Sequence, residues 1–480
     1  MKRLLIIILV CMLCMNVFSA CVPSNPKNSS TTEQSTTAPK GPDGPEEPTR
    51  KYLYGLGEPL ISSNVNAFNT EKSIDLAGAL GAKSFRMWFT ASDVFSGFSY
   101  AKVTTDAMIS SISKQTVTYF NEVFDRMKAV GIEEITGMAH ILPVTESTKG
   151  SNQHYVPHFG TEEYQTFLNK TELMWKTLAS TFTQITVWEV GNETNHSFME
   201  YTDREMTYLE RAKVTIDIMY YANKGIKAGN PNAITITPGF APVTSYLLEN
   251  GTKVTENNGI DSITYFMELI YENIASGKFP TGLESDTDPD NYFQGVAWHP
   301  YDLGKYPYAN TNDPKEDKFD ISLWVEANNR CYEVMKKNGD GDKEVWFTEF
   351  GLTSKKDSLL QTTADDMDHK IYFVDNKYYK TTDDYEELQG KFVRAYFDAM
   401  ESDEMHYVHA CHFFRLYGCT VDYSWNGFTV LYYGMFFEAN ERLGRGFYPR
   451  AKAYVIQDIY GGTGDLMQYA TWEAATSINN

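Results

Sequence analysis

The stretch ITVWEVGNETN, Ile185 to Asn195, alternates apolar side chains and then breaks at Gly191 into Asn192 and Glu193. Short alternation closed by a glycine reads as a β-strand and the turn that leaves it. This strand therefore ends by presenting an amide and a carboxylate side by side. Seven more runs of the same kind lie along the chain: YLYGLG (52–57), KSFRMWF (83–89), EEITGMA (133–139), AITITPG (233–239), GVAWHPY (295–301), VWFTEFG (345–351) and YVHACHFF (407–414). Between and after them lie stretches with apolar residues at three- and four-residue spacing: Ser73–Leu80, Thr116–Val130, Glu162–Leu178, Arg204–Ala228, Asp261–Ala275, Leu323–Lys337, Tyr385–Met400 and Pro449–Tyr460. These read as amphipathic helices. Strand and helix alternating eight times predicts an α/β protein, a (β/α)8 TIM barrel with long βα loops, over residues 50–480. An open doubly wound sheet usually has fewer strands and a Gly-rich first turn, and GLGEPL (Gly55–Leu60) departs from GxGxxG.

A barrel of this kind carries its chemistry at the C-terminal ends of its strands. Strand four ends on Glu193 and strand seven on Glu349, so closure points both carboxylates into one mouth. Two facing carboxylates suit glycosidic bond cleavage: one protonates the leaving oxygen, the other meets the developing oxocarbenium ion. A carboxylate at one strand end is most often a cap or half of an ion pair; the pair is what points to chemistry.

The remaining composition bounds where such an enzyme works. The chain carries a net charge of −21, which disfavours nucleic acid and anionic lipid surfaces as partners. Hydrophobic residues at 42% exclude global disorder. The 32 Tyr, 28 Phe and 8 Trp suit either a large core or stacking on sugars. Residues 1–20 read as a signal peptide: Lys2 and Arg3, then the apolar run Leu4–Leu13, then small Ser19 and Ala20 before Cys21. The segment resembles a bacterial lipoprotein signal, which implies lipidation at Cys21 and an exported, membrane-anchored protein at the cell surface. Phe18 stands where leucine is usual, so ordinary secretion or an uncleaved anchor stays open. Residues 21–49, rich in Ser, Thr and Pro, read as a tether. Cys331, Cys411 and Cys419 make no disulfide framework, although Cys411 and Cys419 are free to pair in an oxidising compartment. Beyond the signal segment no CxxC or HExxH occurs, so no zinc is expected, and glycoside hydrolysis asks for no cofactor. SDTDPDN (285–291) and NGDGDK (338–343) have a calcium-loop look, but Asn291 and Lys343 stand where an EF-hand needs glycine, and they read as polar turns.

Three motifs in order, WEVGNE, AWHPYD and VWFTEFG, resemble the strand-four, strand-six and strand-seven motifs of the clan A glycoside hydrolases, the retaining 4/7 barrels, and within them families 5 and 39 and their neighbours. The resemblance spans residues 51–460. It implies a retaining β-glycosidase with Glu193 as acid/base, Asn192 as the amide that meets the sugar 2-hydroxyl, and Glu349 as nucleophile. It implies that Arg86 and Tyr301 support the nucleophile and that His299 and His140 contact sugar; either histidine read alone would more readily be structural. One departure stands out. Many clan A members floor the cleavage subsite with a tryptophan at the end of strand eight, where this chain has Phe413, Phe414 and Arg415; Trp425 in the following loop is the candidate replacement. Loop aromatics Tyr155, Phe198, Tyr201, Tyr306 and Tyr308 stack on glycan or pack their own loops. Two further readings share these residues: a transglycosidase, and an inactive barrel that captures glycan at the surface.

Overall fold

The computed structural model describes residues 51–474 apart from 59–66, 151–153, 256–258, 302–320, 353–359, 363–370, 375–376, 381–382, 417–423, 426–427, 430–435, 439–443 and 470. The expectations for the signal, Cys21 and the tether, and for Tyr306, Tyr308 and Cys419, lie outside these residues, as do the side chains of His140 and Trp425.

Eight parallel strands form the barrel: β1 (Gly55–Glu58), β2 (Ser84–Thr90), β3 (Glu134–His140), β4 (Val187–Glu189), β5 (Ile234–Ile236), β6 (Val296–Trp298), β7 (Val345–Phe350) and β8 (Val408–Phe413). Each pairs with its sequence neighbour, and β1 pairs with β8 through Gly55 opposite His412. Between β5 and β6 the ladder is reduced to bridges at Ile236–Gly295 and Phe240–Trp298. There the Thr237 hydroxyl stands in for a backbone group and accepts the Ala297 N–H at 2.8 Å, so the barrel closes.

The helices cover the outside: α1 (Ala67–Leu80), α2 (Lys114–Ala129), α3 (Glu162–Thr181), α4 (Tyr208–Gly229), α5 (Gly259–Ala275), α6 (Ser322–Lys337), α7 (Asp383–Glu401) and α8 (Ala451–Tyr460). In α2 the buried side chains are Phe120, Val123, Phe124 and Met127, the i, i+3, i+4, i+7 stripe that a helix lays against a sheet. The sequence pattern places the start of α4 at Arg204, but the helix begins at Tyr208. Thr207 caps it, with Glu210 completing a capping box, and this local pairing outcompetes further extension. Strands four, five and six are likewise shorter than their apolar runs, because the backbone leaves the ladder early to turn side chains into the mouth. The βα loops hold strands of their own, among them the hairpin Ser245–Leu247 with Lys253–Thr255, which the loop composition did not foretell.

Val187, Ile236, Ala297, Trp346 and Ala410 fill the barrel interior as one apolar layer. Below it, His409 lies between Glu134 (Nε2 to Oε2, 2.9 Å) and Glu344 (Nδ1 to Oε1, 3.1 Å), and Trp346 Nε1 donates to Glu134 at 3.2 Å. Cys331 and Cys411 are buried free thiols. Lys343 reaches both Asp290 and Asp340 at 2.6 Å, so an ammonium ties the two acidic turns together. Among the described residues no helix is long and apolar enough to cross a membrane.

Candidate active site

The mouth is assembled around one arginine. Strand β2 turns Ser84, Arg86 and Trp88 to one face, and Arg86 is fully buried. Its Nε and Nη2 donate to the two oxygens of Glu189 at 2.5 and 3.0 Å, Nη2 also to Asn192 Oδ1 at 2.7 Å, and Nη1 to Glu349 Oε1 at 2.6 Å. A guanidinium's planar fork is what permits this bridging of β2, β4 and β7. Glu189, also fully buried, accepts further bonds from the Gly239 N–H at 2.9 Å and the Thr348 hydroxyl at 3.0 Å. A buried ion pair of this kind holds only if its remaining lone pairs are satisfied, and here they are.

Beyond β4 the chain turns sharply. Gly191 has φ 95°, and Glu193 has φ 50°, a left-handed conformation uncommon for a side chain of this size. The turn is pinned by Asn192 bridging to Gly239 and by the Glu193 N–H donating to the Gly239 carbonyl at 3.0 Å. Gly239 admits no side chain, since a Cβ there would stand 2.1 Å from His299 Nε2 and 2.4 Å from Thr348 Oγ1.

His299, fully buried, follows β6. Its Nδ1 lies 2.8 Å from Glu193 Oε1 and 3.8 Å from Glu349 Oε2, and its Nε2 lies 3.1 Å from the Thr348 hydroxyl. Tyr301 donates to Glu349 Oε2 at 2.9 Å. Burial raises the Glu349 carboxyl, but the charge of His299 when protonated, then Arg86, and the hydrogen bonds from Arg86 and Tyr301 outweigh it and hold its pKa below the ordinary glutamate value. One carboxylate oxygen each from Glu193 and Glu349 and a ring nitrogen of His299 lie within 4.8 Å of one another. These three are the described residues close enough to share a cation; the histidine instead bonds directly to Glu193.

The structure thus brings together Arg86, Asn192, Glu193, His299, Tyr301 and Glu349, as the sequence motifs imply. His140 closes β3 with its backbone opposite Thr90, and Trp425 belongs to a short strand, Ser424–Trp425, paired with Phe428–Thr429. Tyr201 is 3% exposed, stacked on His158 at 4.2 Å with Arg204 over its ring, so it packs its loop. Glu189, Thr348 and Gly239 were not singled out by the sequence motifs. Alternation carries the signal for Glu189: it shares the inward face with Val187, where a lone carboxylate demands a buried cation.

At the rim, Trp88 lies nearly parallel to Phe414, with ring centroids 6.5 Å apart and planes at 10°. The Arg86 guanidinium is 5.4 Å from the Trp88 ring centroid.

No protein-family model matches this sequence, and no curated protein matches it. Solved structures do. The β-glycosidase from the hyperthermophile Thermosphaera aggregans aligns with a TM-score of 0.50 at 14% identity, over 88% of this chain and 99% of its own. A hyperthermophilic β-glucosidase from Pyrococcus furiosus aligns with 0.50 at 12%, over 87% and 97%. A family 39 glycoside hydrolase from Bacteroides cellulosilyticus gives 0.47 at 12%, over 86% of this chain, which spans 64% of that structure. The chain is similar in structure to family 39, family 5 and related clan A glycoside hydrolases. At these identities the likeness establishes the fold, a (β/α)8 barrel of the kind that β-glycosidases use.

Proposed function

We propose that the protein is a retaining β-glycosidase that cleaves β-linked poly- or oligosaccharides by double displacement. The observation that carries this is the approach of the Glu193 and Glu349 oxygens to within 4.8 Å. Retaining pairs stand about 5–5.5 Å apart, whereas inverting pairs leave about 6.5–9.5 Å for a water.

In the first step a Glu349 oxygen forms a bond to the anomeric carbon while the glycosidic C–O bond breaks, and the Glu193 proton passes to the leaving oxygen. In the second, Glu193 takes a proton from water as its oxygen displaces Glu349. Arg86 and Tyr301 keep Glu349 ionised and fix its orientation. His299 holds the Glu193 carboxyl toward the reacting bond. Asn192, clamped by Arg86 through its carbonyl oxygen, has its amide N–H groups left to meet a sugar hydroxyl.

The test is incubation of residues 48–480 with a panel of β-linked polysaccharides and oligosaccharides beside Glu349→Ala, with products read by mass spectrometry. Cleavage by the wild type alone, releasing the β-anomer first, is expected. Binding without cleavage across the panel would replace the enzyme by a glycan-capturing protein.

We also propose that the protein is exported and lipid-anchored at a bacterial cell surface through Cys21. The lipobox-like VFSAC and the tether after it support this. Cys21→Ser is expected to abolish labelling by radioactive palmitate; unchanged labelling would remove the anchor.

A further inference from the structure

Four tryptophans sit on barrel strands, Trp88, Trp188, Trp298 and Trp346, and they are held in different ways. Trp298 and Trp346 are buried, and each indole N–H finds an acceptor, Asn328 Oδ1 at 2.8 Å and Glu134 Oε1 at 3.2 Å. Trp188 is fully buried as well, and its Nε1 has no hydrogen-bond partner among the described residues; all three are core residues. Trp88 is partly exposed at the rim, yet its Nε1 is covered and among the described residues has no hydrogen-bond partner. A covered, unpartnered indole N–H costs free energy that phenylalanine would avoid. Trp188 carries the same cost in the core, so what sets Trp88 apart is its partial exposure at the rim, where ring area and not the donor is on offer.

The ring's location says what that area serves. Trp88 stands two residues beyond Arg86 on the same face of β2, and the guanidinium beside its ring is the one that donates to Glu349 and Asn192. A single rigid group thus fixes the indole relative to the attacking carboxylate and to the amide next to Glu193. Phe414, just past the end of β8, lies nearly parallel to Trp88 with ring centroids 6.5 Å apart and extends the aromatic surface. A sugar ring has an apolar C–H face, and its transition state carries positive charge at the anomeric carbon. Both features favour an aromatic face beside the reacting centre.

We propose that Trp88, with Phe414 beside it, is the platform against which the sugar undergoing cleavage packs. This rests on the glycosidase reading above and adds to it the residue that sets sugar preference.

The experiment compares wild type with Trp88→Leu, Trp88→Tyr, Phe414→Ala and Trp425→Ala on 4-methylumbelliferyl β-glycosides of glucose, xylose, mannose and galactose. Trp88→Leu keeps an apolar side chain but removes the flat ring, and melting curves check that each variant folds. Expected is a loss of about 30-fold or more in kcat/KM for Trp88→Leu. Trp88→Tyr should recover to within about tenfold, the order of preference among the four sugars should change, and Trp425→Ala should lose less than Trp88→Leu. A folded Trp88→Leu within threefold of wild type on every sugar, or a Trp425→Ala loss larger than the Trp88 loss, overturns the platform. Labelling of Glu349 by a 2-deoxy-2-fluoro glycoside separates the two failures. A wild type that neither turns over nor is labelled ends the glycosidase reading. The platform is then decided by calorimetric binding of cellotetraose and xylotetraose: weakening by Trp88→Leu upholds it, and equal or absent binding overturns it.

Discussion

Each end of this barrel sets one histidine between two glutamates, and the two ends do different things with the trio. At the bottom, His409 lies between Glu134 and Glu344, one ring nitrogen on each carboxylate. At the mouth, His299 lies between Glu193 and Glu349, but its second nitrogen faces the Thr348 hydroxyl. Burial would lower the His409 pKa, yet its two hydrogen-bonded carboxylates raise it to about 9, so the bottom is a closed ion-pair plug across the physiological range. The mouth trio is instead convergent, with Glu193 bonded to His299 and Glu349 held by Arg86 and Tyr301. What separates structure from chemistry is not the residues but which partner occupies each nitrogen and oxygen.

The largest expected effect is at Glu349. Glu349→Ala should lower kcat by on the order of 10^4-fold or more, and azide should restore turnover with an α-glycosyl azide as product. An unchanged rate would dissolve the contrast between the two ends. Next is Glu189→Gln, which strips Arg86 of its main counter-charge inside the barrel. Loss of about 3 kcal/mol in urea unfolding is expected, together with a fall in kcat as Arg86 reorients; a variant as stable as wild type would show that the buried network is not under strain of charge. Gly239→Ala should be smaller still, about 1–3 kcal/mol in stability, but should cut activity roughly tenfold or more by displacing His299; a crystal structure with His299 unmoved would refute that route.

The smallest effect on turnover belongs to the bottom. The folded His409 pKa lies above its unfolded value of 6.5, so its contribution is present in full below about pH 6.5 and fades as pH rises through about 9. Up to about 3 kcal/mol of stability should therefore disappear between these pH values, and His409→Gln should flatten that slope while leaving kcat intact. A kcat loss in His409→Gln would mean that the two ends are coupled.

The eight strands and both mouth carboxylates were legible because each is written locally: an alternating run, then a polar strand end. Glu189 lies within the most informative stretch yet carries no local sign of its role, since its partners come from β2, β7 and the turn after β5, and no local pattern announces a buried arginine 103 residues away. Gly239 is similar, because what forbids a side chain there is His299, reached only after closure. Trp88 reads in the sequence only as one apolar residue of KSFRMWF; its pairing with Phe414 joins two strand ends that adjoin only across β1. The bounds of β4 to β6 were overestimated because apolar alternation continues past the point where the ladder stops.

The backbone at Glu193 carries one more implication. At φ 50° glycine or asparagine would sit more comfortably than glutamate. Selection for a durable fold alone would have drifted this position toward one of them. Glu193→Gly should accordingly melt higher than the natural protein while doing nothing to sugars, and lineages of this barrel that have abandoned catalysis should be recognisable by having made that exchange.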